Sequence, residues 1–250
     1  AAALAIPQPF YPDEGLFFNY FVLDPFTFFF KIAAYLTIGL VILASLAYKQ
    51  IPERQLGEFY VLLLGMALLL TVMGGATNLL MVFLAIESVS LTSYVLVGFQ
   101  KFDKASSEAS LKYVLFGAVS TAVMLFGMSL LVGAARSIEL TAIGASLSQA
   151  DPPMQIVILL GMIFLLAGIG FKISVVPFHA WAPDVYQGAP TPVTAFLTVA
   201  PKALGFAVLA RVLFVAFPFF TAKWAVLLTW ISILTMTFGN VIAISQSNVK

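Results

Sequence analysis

A chain of 250 residues with 62% hydrophobic and 9% charged side chains lacks the polar groups to coat a soluble globule of its size; soluble domains carry roughly 25% charged residues. Twelve basic against eleven acidic residues leave a formal net charge of +1, which excludes the basic face a nucleic-acid partner requires. The absence of cysteine excludes iron–sulfur clusters, thiolate metal sites, thiol catalysis and disulfides, and one histidine is too little for a haem or zinc site of the usual kind.

The chain must present its surface to lipid, and it divides into seven apolar stretches near the roughly 20 residues a transmembrane helix needs. The first covers 24–48 and opens on Asp24-Pro25, an N-cap followed by proline at the first helical position. The second covers 57–74, and the third follows the Gly74-Gly75 break over 77–99. The fourth covers 107–133, with Ser106 and Ser107 at its start and Glu108 in its first turn, where a carboxylate suits the helix dipole. The fifth covers 153–181, the sixth 191–217 and the seventh 221–245. Runs such as 156–166 do not alternate, which excludes the ~10-residue strands of an outer-membrane barrel. The predicted fold is all-α: residues 1–250 form a single polytopic transmembrane bundle of about seven helices, one or two of them broken or kinked. The chain starts at Ala1 without a signal-peptide pattern and stops at Lys250 directly after an apolar segment, so both ends read as cuts in a longer protein. Lys49, Arg54, Lys101, Lys104 and Lys250 fall on one side of the bundle and only Arg136 and Lys223 on the other, so the first side is predicted to be cytoplasmic.

A few charges lie inside the apolar stretches, where an ionised group costs about 2.5–3.5 kcal/mol even on the insertion scale. Glu87 sits near the middle of the third stretch, Lys172 deep in the fifth, Lys202 near the middle of the sixth, and Lys112 about two turns into the fourth. Lys31 and Arg211 lie nearer helix ends and are read as snorkelling to the headgroups. Lys112 has three readings: snorkelling, an i,i+4 pair with Glu108 in the favourable order, or a functional role. For Glu87, Lys172 and Lys202 the alternatives are structural pairing and function, and intramembrane ionisable groups are functional candidates by default. One acid with lysines on separate helices points to a proton relay, since a hard-cation site needs several oxygen ligands. No metal site and no catalytic residue is predicted. Gly168 and Gly170 before Lys172, with Pro177 after it, predict a break in the fifth helix, and Pro201 beside Lys202 predicts a similar one in the sixth. Such breaks are tolerated where they line a cavity. His179 follows Lys172 by seven residues and shares its face if the segment stays helical; it is either a proton shuttle or a hydrogen-bonded structural residue.

The run Phe171-Lys172-Ile173-Ser174-Val175-Val176-Pro177-Phe178-His179-Ala180-Trp181-Ala182-Pro183-Asp184-Val185-Tyr186-Gln187-Gly188-Ala189-Pro190-Thr191-Pro192-Val193 resembles the hallmark of the antiporter-like membrane subunits of respiratory complex I, and among them the N type. The segment Ser107-Glu108-Ala109-Ser110-Leu111-Lys112-Tyr113 and the ending from Gly239 to Lys250 resemble the same family. The resemblance implies a proton-translocating subunit of an NADH–quinone oxidoreductase, driven by electron transfer elsewhere. It places Glu87, Lys112, Lys172, Lys202 and His179 on the family's proton path. It implies no cofactor on this chain, with NADH, FMN, iron–sulfur clusters and quinone in partner subunits. The implied partners are the other membrane subunits of complex I and the lipid bilayer, in a bacterial inner membrane. It also implies that the chain holds the first of two inverted repeats. The alternatives are a subunit of an Mrp-type sodium/proton antiporter, a related membrane-bound hydrogenase, and a structural membrane subunit.

Overall fold

The computed structural model describes residues 16–147, 150–246 and 248, with Leu147 as backbone only; the segment before Leu16 and the terminal Lys250 lie outside them. Nine α-helices are present among the described residues: α1 Pro25–Leu46, α2 Leu56–Gly75, α3 Leu79–Val97, α4 Lys104–Ala135, α5 Leu140–Leu147, α6 Pro152–Ile173, α7 Ala182–Gly188, α8 Thr191–Ala216 and α9 Thr221–Ile244. Seven are long and apolar enough to cross a bilayer; α5 and α7 are short. The described residues contain isolated bridges such as Asn78–Glu139 but no strand.

Side-chain oxygens set most of the long helix starts. Asp24, Asn78, Asp103 and Asp151 each accept a backbone N–H of the first turn of α1, α3, α4 and α6, taking up a donor that the helix leaves orphaned. Asp103, not Ser106, caps α4, which therefore starts before the predicted 107. Ser106 turns inward and donates to the Val97 carbonyl over 2.7 Å. The 32 residues of α4 extend about 48 Å at 1.5 Å per residue. That exceeds the ~30 Å hydrocarbon core, so its end turns reach the interface.

The fifth predicted helix is corrected most. It ends at Ile173, not at 181, because Ser174 takes the left-handed conformation (φ 61°, ψ 44°). The Ser174 and Val175 N–H groups then turn back onto the Phe171 and Gly170 carbonyls, the Schellman closure of a helix end. The chain runs irregularly to α7, with Pro177 inside the interruption. Lys172 and His179 therefore do not share a helix face. Gly168 and Gly170 lie inside α6 and do not break it, and α8 continues through Pro201 as one helix. These glycines serve packing instead.

The α4–α6 seam is the most extensive helix contact among the described residues. A Cβ on Gly127 would come within 2.7 Å of the Gly161 carbonyl oxygen and the Leu165 nitrogen, and one on Gly161 within 2.9 Å of Leu131. A Cβ on Gly168 would overlap Met124. Small residues let membrane helices approach backbone to backbone. The core continues through Phe59, Leu63, Met66 and Leu70 of α2 to Phe196 and Leu204 of α8, all fully buried. α9 buries only Trp224.

Neither Lys31 nor Arg211 snorkels as predicted. Lys31 is 3% exposed, with its nitrogen 5.6 Å from the centre of the Tyr35 ring. Arg211 grips both Asp24 oxygens at 2.9 and 3.0 Å and donates to Thr27, tying α8 to the start of α1. Burial pushes the Asp24 carboxyl up, but the bonds from Arg211 and Thr27 and the Arg211 charge outweigh it and hold the group below its ordinary value of 3.8. A carboxylate lowered on folding stabilises fully above its ordinary value and loses that contribution as pH falls through the lowered one. Thermal unfolding in detergent should therefore show stability falling below about pH 4. Asp24→Asn should start lower at pH 7 and fall less steeply; an unchanged acid limb would contradict the assignment.

Candidate proton-relay site

Lys172 occupies the last turn of α6 and is 2% exposed. Its ammonium donates to the Ser90 hydroxyl of α3 over 3.0 Å. Ser90 spends its own proton on the Ile86 carbonyl over 2.7 Å, which leaves its oxygen free to accept. Glu87 lies three residues earlier on the same helix, so the two side chains share a face. The Glu87 carboxylate accepts from the Thr121 hydroxyl of α4 over 2.5 Å. The Glu87 and Lys172 charges interact. They form no ion pair: each is held by a neutral hydroxyl.

Lys202, on α8, is half-buried with its nitrogen 5.2 Å from the centre of the Tyr186 ring. It lines a cavity of about 430 Å³ together with Ser174, His179, Tyr186 and Gln187. The Ser174 hydroxyl, His179 Nδ1 and the Tyr186 hydroxyl are buried polar atoms with no protein partner. A cavity needs size and two to four polar partners to hold each ordered water, and this one has both. The break after α6 thus places the hydroxyl of Ser174, two residues beyond Lys172, on the cavity that holds Lys202 and His179.

Lys112 stands apart. Its nitrogen lies 2.8 Å from Glu108 and 2.6 Å from Asp184 of α7. It faces a second cavity, of about 160 Å³, also lined by Gln187. Beside it, Tyr113 stacks on Trp181 at 4.4 Å between ring centres, and Phe171 packs against both. Sequence reasoning brought out the four charges and the histidine but missed Ser90, Thr121, Asp184 and Tyr186. Asp184 and Tyr186 lie inside the recognisable run around α7; the two hydroxyls carry no signal in the sequence.

Residues 76–250 match the membrane-domain family described as NADH:quinone oxidoreductase/Mrp antiporter. The chain belongs to this family. Among relatives, it is 43% identical to NADH-quinone oxidoreductase subunit N of Trichlorobacter lovleyi, over 92% of this chain and 47% of the relative. It is 41% identical to NAD(P)H-quinone oxidoreductase subunit 2 of Gloeobacter violaceus, over 100% of this chain and 48% of the relative. The chain thus spans about half the length of the curated relatives it matches. A chain of respiratory complex I from Thermus thermophilus, solved with bound aureothin, superposes with a TM-score of 0.80 at 31% identity, covering 100% of this chain and 52% of that one. A chain of an archaeal membrane-bound sulfane sulfur reductase superposes at 0.72 with 23% identity, covering 86% and 45%, a likeness of fold alone. The seven apolar helices and the family together make the chain an integral inner-membrane protein of the antiporter-like fold.

Proposed function

We propose that this chain carries one proton half-path of a proton-translocating membrane subunit in a quinone oxidoreductase complex, and that it corresponds to the first of two inverted repeats in the full subunit. The observation that carries this reading is Lys172. It is an almost fully buried ammonium resting on a neutral hydroxyl, with Glu87 within electrostatic reach but held away by Thr121. At an effective dielectric near 20, such a pair at about 4 Å interacts by roughly 4 kcal/mol, some three pKa units, and by less at a wider separation. Swinging Glu87 toward Lys172 keeps the proton on the lysine. Swinging it back to Thr121 lets the proton leave, by way of water in the cavity beyond Ser174, toward Lys202. His179 and Tyr186 supply further polar atoms along that route.

Redox chemistry in this reading belongs to partner subunits, where NADH, flavin, iron–sulfur clusters and quinone would be held. This chain breaks and makes no covalent bonds other than those to protons. Its partners would be the other membrane subunits of the complex. The family description also names Mrp antiporters, which sets the rival: sodium/proton exchange. Glu87→Gln, placed in the full-length chain within its complex, should leave quinone reduction running and lower the protons moved per electron. Retained pumping, or sodium-dependent exchange by the subunit, would overturn the reading.

A further inference from the structure

The proton path above uses neither Asp184 nor Gln187, yet both lie on α7, the short helix wedged between α4 and α8. One side of α7 is pressed against α4. A Cβ on Gly188 would overlap the Ala105 carbonyl, and Asp184, four residues earlier and so on the same face, reaches Lys112 at 2.6 Å. On the other side the Tyr186 carbonyl accepts from Thr194 of α8 over 2.9 Å. Gln187 lines both the cavity that holds Lys112 and the cavity that holds Lys202 and His179. α7 is therefore the wall between them. It hangs between the irregular segment after Ile173 on one side and Ala189-Pro190 on the other. No long helix continues into it, so its place depends on what grips it laterally.

We propose that Asp184 is a positioning residue for the proton path: its pair with Lys112 holds α7 on α4, so that Gln187 keeps the Lys112 cavity and the Lys202 cavity apart, and loosening the pair joins them. The purpose of the device rests on the proton-path reading; its geometry does not. Lys112 already has Glu108 as a partner at 2.8 Å, so removing the Asp184 charge frees α7 without stranding the lysine.

The test uses thiol accessibility. The 250 residues contain no cysteine, so Ser174→Cys places a single reporter in this half, facing the inner cavity. The full-length subunit in its complex is prepared in inside-out vesicles and treated with a membrane-impermeant methanethiosulfonate. Modification of the S174C peptide is followed by mass spectrometry. Asp184→Asn should raise the labelling rate about two- to fivefold, the scale on which an exposed ion pair acts. Asp184→Glu should restore it. If Asp184→Asn does not assemble, the wild-type pair is weakened instead by raising salt toward 1 M, where the screening length falls to about 3 Å and approaches the separation of the pair, and labelling should rise with salt. Equal labelling with asparagine and aspartate, or labelling indifferent to salt, overturns the proposal. A failure of the proton-path reading shows separately, as normal pumping by Lys172 variants.

Discussion

Lys172→Met in the full-length subunit should assemble normally and lose the proton transfer carried by this half, by ~100-fold or more, the lower end of what a positioned acid–base group supplies. Assembly should survive because methionine fills a similar volume, the cost of burying the ammonium disappears, and neither neighbour is stranded: Glu87 keeps its bond from Thr121 and Ser90 keeps its own to Ile86. The decisive companion is Lys172→Arg. A guanidinium keeps the positive charge and a hydrogen bond to Ser90 but does not deprotonate in proteins. If Lys172 merely balances Glu87, arginine restores pumping; if it passes a proton, arginine fails with methionine. Protons moved per electron, measured beside quinone reduction in reconstituted vesicles, separate the two. Ser90→Ala should fall between wild type and methionine, because it removes the acceptor on which the ammonium rests.

The second large effect concerns the fold. Gly127→Val should abolish or sharply reduce accumulation of the subunit, with a melting point in detergent well below wild type. A Cβ at Gly127 meets the backbone of α6, the Gly161 oxygen and the Leu165 nitrogen, both at 2.7 Å. Backbone cannot rotate away as a side chain can. Overpacking costs typically 1–3 kcal/mol where side chains give way, and valine here should reach or exceed the top of that range. Gly39→Val on α1, where nothing lies within 4 Å, is the control. It carries the same helix-propensity change and should be tolerated. Equal losses at the two sites would remove the seam from the explanation.

Where the sequence was informative, the reason is lipid. Helices facing hydrocarbon must be apolar along their whole length, so α1, α2, α3, α8 and α9 were readable within a few residues. The ends that moved are those set by a single side chain or backbone angle: Asp103 in place of Ser106 at the start of α4, and Ser174 at φ 61° closing α6 ahead of Pro177. α5 is eight residues long, too short to show against its loop. Depth along a helix does not reveal what lies across it. By depth alone Lys31 reads as a headgroup contact, yet it is packed inside; Arg211 finds Asp24 from 187 positions away. Gly168 and Gly170 read as weakness in the helix because the sequence does not show Met124 of α4 against the first or Phe178 against the second. The candidate charges stood out for the opposite reason: each is conspicuous in an apolar run, whereas Ser90 and Thr121 are ordinary residues in a membrane helix.

The glycine seam also constrains how the proposed relay would be thrown. Thr121, which holds Glu87, is on α4, and Lys172 is on α6, and these two helices meet backbone to backbone at Gly127 and Gly161. Sliding one past the other would drive the Gly161 and Leu131 surfaces into each other. The seam thus fixes Thr121 relative to the Lys172 backbone, and in the proposed relay the charges would change partner by torsion of their own side chains. Such a relay would switch without any sliding of α4 against α6, and its tempo would be set by whatever changes the local field.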